Sequence, residues 1–390
     1  MTLVYAGEEA PQTLTRSMFL AGPSPRKPED HNWRPEAIAI LEELRFDGVV
    51  FIPLPRGGEW KHSYDDQIWW ETDKLAMADS IPFWVPRNLD ALPGFTTNVE
   101  WGMHFDSGKV ALGYPKGAPK MAYLAYHAKE QQVPILHSLR ETLQCVIERM
   151  GKGGARSGGE RFVPLHIWNL PHFQGWYQKQ KVAGNRIDDA KLLWSFRVGP
   201  TKSFTFAFAL HVNLYIAAEK RNKINEFIIS RPDIATIVAY RPQAVLRDTE
   251  IALIKEFRSP ARTTDGYIRE VPGGSSWKPG ADPFETMAHE LEEETGLVIA
   301  DTSRIRRVGT RQLNGTLSAH VAHVFAIELS SDEFAFLRKQ EEEKVVHGVE
   351  ADTERTYVEV RKLGDLTRSD SDALDWSMLG MILTALHTKA

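Results

Sequence analysis

Short apolar runs alternate with longer helical ones between residues 18 and 113, and no other feature restricts the fold as much. Met18-Phe-Leu-Ala-Gly22, Val49-Val-Phe-Ile-Pro53, Ser80-Ile-Pro-Phe-Trp-Val85 and Lys109-Val-Ala-Leu-Gly113 read as strands. Residues 33–45, 64–78 and 97–107 read as helices between and after them, with more helix expected over 120–131 and 134–150. Strands that alternate with helices specify a parallel sheet carrying helices on its faces. Such sheets bind ligands in the crevice beyond the carboxyl ends of their strands.

At 390 residues the chain is longer than one core usually grows, so two domains are expected. Gly151-Lys-Gly-Gly-Ala-Arg-Ser-Gly-Gly159 places five glycines in nine residues. This reads as a flexible linker over 151–160, parting a domain at 1–150 from one at 161–390; the alternative is a loop inside a single domain. The aromatic-rich stretch 161–189 reads as packing between the domains. Beyond it strands dominate, at 192–198, 203–217, 234–240, 250–256, 308–312, 319–329 and 356–362, with an acidic helix at 282–295 and a terminal helix at 371–387. That is an α+β pattern with its core over about 232–390.

The formal net charge of -5, without a basic stripe, argues against a nucleic-acid polymer as partner. The longest apolar stretch, 203–218, is short for a membrane span and carries His211 and Asn213. The first 17 residues lack a signal-peptide layout, and the lone Cys145 permits no intrachain disulfide. A cytoplasmic protein is therefore expected.

The sharpest chemical signal is His289-Glu-Leu-Glu-Glu-Glu-Thr-Gly-Leu297. On a helix, Glu290, Glu293 and Glu294 share one face. Carboxylates so placed repel one another unless a cation sits among them, and hard oxygen ligands suit Mg²⁺ or Mn²⁺. Gly296 reads as the helix C-cap. The loop Pro272-Gly-Gly-Ser-Ser-Trp-Lys-Pro-Gly280 would let backbone approach a diphosphate. The segment resembles the box of the Nudix hydrolases, and Ile254-Lys-Glu-Phe-Arg-Ser-Pro260 with Tyr267-Ile-Arg-Glu-Val-Pro-Gly-Gly274 is similar to their ADP-ribose pyrophosphatase branch. The resemblance implies metal ligation by Glu290, Glu293 and Glu294, and substrate contacts at Arg258 and Gly274. It also implies a further catalytic acid from a late loop, where Glu350, Asp352 and Glu354 stand, with Glu350 or Glu354 preferred. His289 holds the place of the box arginine and Ala281 that of the upstream glutamate.

In the first half, three pieces fall at strand ends or a helix start: Phe19-Leu-Ala-Gly-Pro-Ser-Pro-Arg26, Ala78-Asp-Ser-Ile-Pro-Phe-Trp-Val-Pro-Arg87, and Pro93-Gly-Phe-Thr-Thr-Asn-Val-Glu-Trp-Gly102. Thr96, Thr97 and Asn98 offer donors at a helix N-terminus, a natural anion site. Glu100, just inside that helix, is expected to have its carboxylate form stabilised there. Such a carboxylate can attack an anomeric carbon and form a glycosyl-enzyme. Over about residues 18–124 the set resembles the nucleoside 2-deoxyribosyltransferase-like family. That resemblance implies Glu100 as nucleophile, Asp79 as a catalytic substrate contact, and Gly22 and Thr97 as sugar- or phosphate-binding positions, with Arg26 and Asn98 as further candidates.

Together these readings predict an α/β protein. Its N-terminal half is a flavodoxin-like parallel-sheet sandwich with helices on both faces, and its C-terminal half an α+β Nudix fold, an α/β/α sandwich on a mixed sheet. Small nucleotides are the expected substrates, and both resembled superfamilies commonly form homo-oligomers. Three whole-protein readings follow: cleavage or transfer at an N-glycosidic bond joined to hydrolysis of an ADP-ribose-like diphosphate; an NAD glycohydrolase feeding ADP-ribose to the second domain; or a non-catalytic second domain that senses ligand.

Overall fold

The computed structural model describes residues 1–27, 29–58, 63–199, 201–276, 278, 280–349, 353–368 and 374–388. The chain divides into two compact units, Met1–Ile229 and Ser230–Ala390. No described helix is long and apolar enough to cross a membrane.

The first unit opens with β1 (Thr2–Tyr5), β2 (Thr13–Leu14), β3 (Ser17–Phe19), α1 (Arg34–Glu43), β4 (Val49–Ile52) and α2 (Tyr64–Met77). It continues with β5 (Ile81–Trp84), α3 (Phe95–His104), β6 (Val110–Gly113), α4 (Ala122–Glu130), β7 (Ile135–Leu136) and α5 (Leu139–Met150). Strands β1-β4-β3 and β5-β6-β7 are each parallel and in that order. Parallel bridges Met18↔Ser80 and Ala21↔Phe83 join the two sets. From β3 the chain builds outward to β4 on one side and to β5, β6 and β7 on the other. The reversal therefore lies between β3 and β5, where a ligand crevice forms in open parallel sheets.

Side chains alternate across this sheet, and both faces are covered. Phe19, Ala21, Phe51 and Phe83 point to one side, where Trp70 and Leu75 of α2, Trp101 of α3 and Leu124 of α4 close over them. The other side carries α1 and α5, which touch each other, with α5 also against β5 and β6. Residues 134–150, expected as one helix, are instead β7 followed by α5. Apolar Ile135 and Leu136 pair with β6, and the Ser138 hydroxyl accepts from Glu141 N–H to start α5 afresh.

The expected linker is not an independent tether. Arg156–Ser157 forms β8, antiparallel to β2, and Arg156 is fully buried. Its guanidinium donates to both oxygens of Asp79 at 2.6 Å, while Ser17 N–H, Ser17 Oγ and Leu165 N–H complete that carboxylate's partners. Gly153, Gly154 and Gly159 meet close neighbours, a Cβ on Gly159 lying 2.1 Å from the carbonyl carbon of Asp188, while Gly151 and Gly158 take left-handed turns at φ 60° and 55°. Composition suggested flexibility, whereas close approach and left-handed turns are what these glycines provide. Next come α6 (Leu165–Trp168) and α7 (Pro171–Val182). Their aromatic side chains Trp168, Phe173 and Tyr177 pack together at tilted and edge-on angles, and Phe173 and His172 pack on Phe208 within this same unit. Phe208 belongs to β10 (Phe204–Ile216), flanked in an antiparallel sheet by β9 (Arg186–Val198) and β11 (Arg221–Ser230).

The second unit holds β12 (Ile234–Arg241), β13 (Glu250–Phe257), β14 (Tyr267–Glu270), β15 (Gly273–Gly274), α8 (Pro283–Thr295), β16 (Arg306–Gln312) and β17 (Val321–Glu328). After them come α9 (Ser331–Glu343), β18 (Val346–His347), β19 (Thr356–Lys362), α10 (Leu363–Leu366) and α11 (Trp376–His387). The mixed sheet runs β16-β17-β12-β13-β19-β18, with β12 and β17 parallel. On one face α8 and α9 bury Met287, Leu291, Phe334 and Leu337; on the other α10 and α11 bury Leu363, Leu366 and Ile382. Asp282 caps α8 through Phe284 N–H, and Gly296 ends it in the left-handed region at φ 70°.

Removing one partner of a buried ion pair strands the other charge. Arg156→Leu is expected to destabilise the first unit by about 3–5 kcal/mol in chemical denaturation. A loss within the ordinary surface range would show that the Asp79 carboxylate does not need Arg156.

Candidate active sites

In the first unit, the turn after β3 and the start of α3 meet at the reversal. Gly22 has φ 149°, and a Cβ there would sit 2.1 Å from the Trp84 carbonyl oxygen and 2.9 Å from the Trp33 ring. Only glycine lets the two strand ends come this close. Trp33 Nε1 donates to Pro23 O at 3.1 Å, and Arg34 donates to Gly22 O at 2.9 Å and Leu20 O at 3.3 Å. The first residues of α1 thus pin the turn from behind. Gly94, left-handed at φ 67°, begins α3 directly against this turn, its would-be Cβ 3.6 Å from Pro23.

Three charged side chains sense one another here. Arg34 is buried, which pulls its guanidinium down to about 10, while Glu100 and Glu71 favour its charge. Burial raises the Glu100 carboxyl to about 7; Glu71 adds to the rise and Arg34 opposes it. Burial raises Glu71 too, against a 2.8 Å hydrogen bond from Gln67 and the charge of Arg34. The helix-terminus expectation for Glu100 fails for a simple reason. α3 starts at Phe95, so Glu100 lies in its second turn, beyond the reach of the terminal dipole. Desolvation decides instead. Two carboxyl groups of raised pKa beside one guanidinium can divide the roles of nucleophile and acid.

Not every residue expected at this site is there. Gly22, Thr97 and Glu100 are brought together, with Thr97 buried one helical turn before Glu100. Arg26 stays exposed and lies over the ring of Phe95, at the mouth of the crevice. The Asn98 carbonyl oxygen accepts from Arg87, whose guanidinium also donates to Lys120 O at 3.0 Å. Asp79 precedes β5, so it sits at the amino end of the sheet, and Arg156 occupies both its oxygens. It is a structural carboxylate, not a substrate contact. Glu71 escaped the sequence reading because a glutamate on an amphipathic helix normally faces water.

The second unit gathers carboxylates around the start of the glycine loop. One oxygen each from Glu256, Glu294 and Glu354 lies within 4.8 Å of the others. Glu294 is buried on α8 and accepts from Gly273 N–H at 2.8 Å. Burial raises its carboxyl well above the usual range, Gly273 opposes this, and Glu290, Glu354 and Glu270 add to it. Glu290 is raised to about 7 by burial, then by Glu293 and Glu354, with Arg231 opposing. Glu256 is likewise raised to about 7 by burial, against Arg258. A Cβ on Gly274 would fall 2.3 Å from Glu290 Oε1, so this glycine admits the carboxylate against the backbone.

Of the three expected ligands only Glu294 belongs to the trio; Glu290 stands beside it, coupled electrostatically to Glu294 and Glu354. Glu293 lies apart from the closest trio, 3.3 Å from His289. Glu256 completes the trio with Glu294 and Glu354; its position at the end of an apolar strand gave no sequence signal. Arg258, expected as a substrate contact, bridges Glu256 at 2.7 Å and Glu270 at 2.8 Å. Of the late-loop candidates Glu354 reaches the cluster, and Glu350 and Asp352 lie outside the described residues. Crowded carboxylates with raised pKa values fit a hard divalent cation, which would reverse their mutual repulsion.

Residues 15–118 match the sequence family described as nucleoside 2-deoxyribosyltransferase like. The match takes in Gly22, Arg34, Glu71, Thr97 and Glu100. A search of curated proteins finds no match.

Glu100 holds its proton more tightly folded than unfolded. Its contribution to stability is complete below the ordinary carboxyl range and disappears as pH rises through about 7. Denaturation midpoints of Glu100→Gln are expected to fall less than those of wild type across that window. Equal slopes for both proteins would mean that Glu100 titrates normally.

Proposed function

We propose that the first unit cleaves or exchanges the N-glycosidic bond of a nucleoside or nucleotide through Glu100. The observation that carries this is the pairing of Glu100 with Glu71, beside buried Arg34, at the reversal of the parallel sheet. In the reactive form one carboxyl is ionised and the other holds a proton, since two adjacent charges of one sign are costly. The Glu100 carboxylate attacks the anomeric carbon and the carbon–nitrogen bond breaks. The bond's electron pair leaves with the base, which takes a proton from Glu71. Attack by a second base on the glycosyl-enzyme gives transfer, and attack by water gives hydrolysis. Thr97 and the Gly22 turn border the sugar, and Arg26 at the mouth suits a 5′-phosphate.

The carboxylate cluster supports a second activity, a Nudix-like, Mg²⁺- or Mn²⁺-dependent hydrolysis of an ADP-ribose-like diphosphate. Glu256, Glu294 and Glu354 would hold the cation, with Glu290 alongside. A bound cation would there lower the pKa of a water and neutralise diphosphate charge. Gly274 lets the Glu290 carboxylate lie against the loop backbone, and Arg258 and Arg231 keep positive charge near the glutamates.

Free base released from 2′-deoxynucleosides and their monophosphates, with and without a second base, tests the first activity. Glu100→Gln is expected to lose at least about a thousandfold in kcat. Wild-type kcat/KM should be bell-shaped with pH, rising as the Glu71–Glu100 pair loses its first proton and falling as it loses its second. Undiminished turnover by Glu100→Gln would sink the assignment. For the second activity, AMP release from ADP-ribose is expected to require Mg²⁺, to stop on chelation, and to collapse in Glu294→Gln and Glu256→Gln. Turnover indifferent to chelator and to both substitutions would remove the cluster from the chemistry.

A further inference from the structure

The second unit contains a cavity of about 220 Å³ that neither proposed activity uses. It lies between α11 and the strands β16 and β17, on the sheet face opposite α8 and its glutamates. Two glycines look into it, Gly309 from β16 and Gly380 from the middle of α11. A Cβ on either would meet nothing within 4 Å. Close packing therefore does not explain them, and glycine within a helix is destabilising relative to alanine. What they share is that each leaves open the space into which a side chain would project. Gly309 also sits at a break in the register between β16 and β17, the kind of irregularity found beside binding sites.

The walls define the guest. Val324 and Met381 make an apolar floor, and Trp376 stands at the rim 88 % exposed. An indole left this open offers a flat surface for stacking. Arg311 lines the same cavity and makes no ion pair with a described carboxylate. The volume falls below the roughly 300–1,000 Å³ of a pocket for a drug-sized ligand, which limits the buried part to one ring system. We propose that this cavity binds a nucleoside monophosphate, its base between Trp376 and the two glycines and its phosphate on Arg311. Aromatic ring and anion follow from the lining; the choice of nucleotide among aromatic anions rests on the function proposed above.

Calorimetric titration of the full chain with AMP, adenosine and inorganic phosphate tests this without reading turnover, so it can fail while either activity stands. Gly380→Leu fills the cavity with a better helix former, and is expected to keep or raise Tm while weakening AMP at least tenfold. Arg311→Gln should weaken AMP severalfold and leave adenosine unchanged, whereas Gly380→Leu should weaken both. AMP binding that is absent in wild type, or unaltered in both variants, overturns the proposal. Should Gly380→Leu fail to fold, Trp376→Ala at its exposed position takes its place, with the same tenfold expectation. A change of oligomeric state in Trp376→Ala, with AMP affinity intact, would assign this face to a protein contact and also overturn it.

Discussion

Asp79 and Arg156 form the contact on which the first unit depends. Neither side chain is exposed, and two 2.6 Å hydrogen bonds run between them. Their net worth against apolar replacements is small, because burying two charges costs nearly what their attraction returns. Their value lies in direction. The fork of Arg156 fits only one placement of the carboxylate, and Asp79 also accepts from Ser17 and Leu165. One carboxylate thereby ties β3, the start of β5, β8 and α6 together at the amino end of the sheet.

The other end of the same sheet uses the same chemical groups differently. Arg34 gives its hydrogen bonds to backbone carbonyls and leaves Glu71 and Glu100 without its direct contact. A guanidinium bound to both carboxylates would hold them ionised and inert. At a distance it limits their pKa rise without cancelling it, so a proton can move at neutral pH. Saturated pairing at one end gives rigidity, and incomplete pairing at the other gives reactivity. In the second unit burial outweighs pairing: Glu256, though bridged by Arg258, is raised along with Glu290 and Glu294.

Local pattern carried most of the architecture. The alternation of apolar and helical runs foretold the parallel strands, and Gly22, Thr97 and Glu100 do meet at the expected crevice. What stayed hidden depends on long-range partners. Asp79 and Glu71 are both acidic residues around α2, and nothing local says that the first meets a guanidinium 77 residues on while the second faces Glu100. Glycine density misled at 151–159 because flexibility and close approach call for the same residue. Glu256 was invisible for a related reason, since its neighbours in the cluster come from α8 and the segment before β19. The acidic helix itself was legible, with Gly296 ending it where the residues placed it.

Gly274 touches Glu290 so closely that the two positions form a single functional element. The shape of a carboxylate is impressed on a stretch of backbone that has no side chain of its own. Heredity at the two sites is therefore coupled in one direction only. Glu290 can be altered without disturbing the loop, but almost any replacement of Gly274 rewrites Glu290, leaving its charge in the sequence and moving it in space. A lineage that lost this glycine would keep every acidic letter of the helix and still lose its alignment.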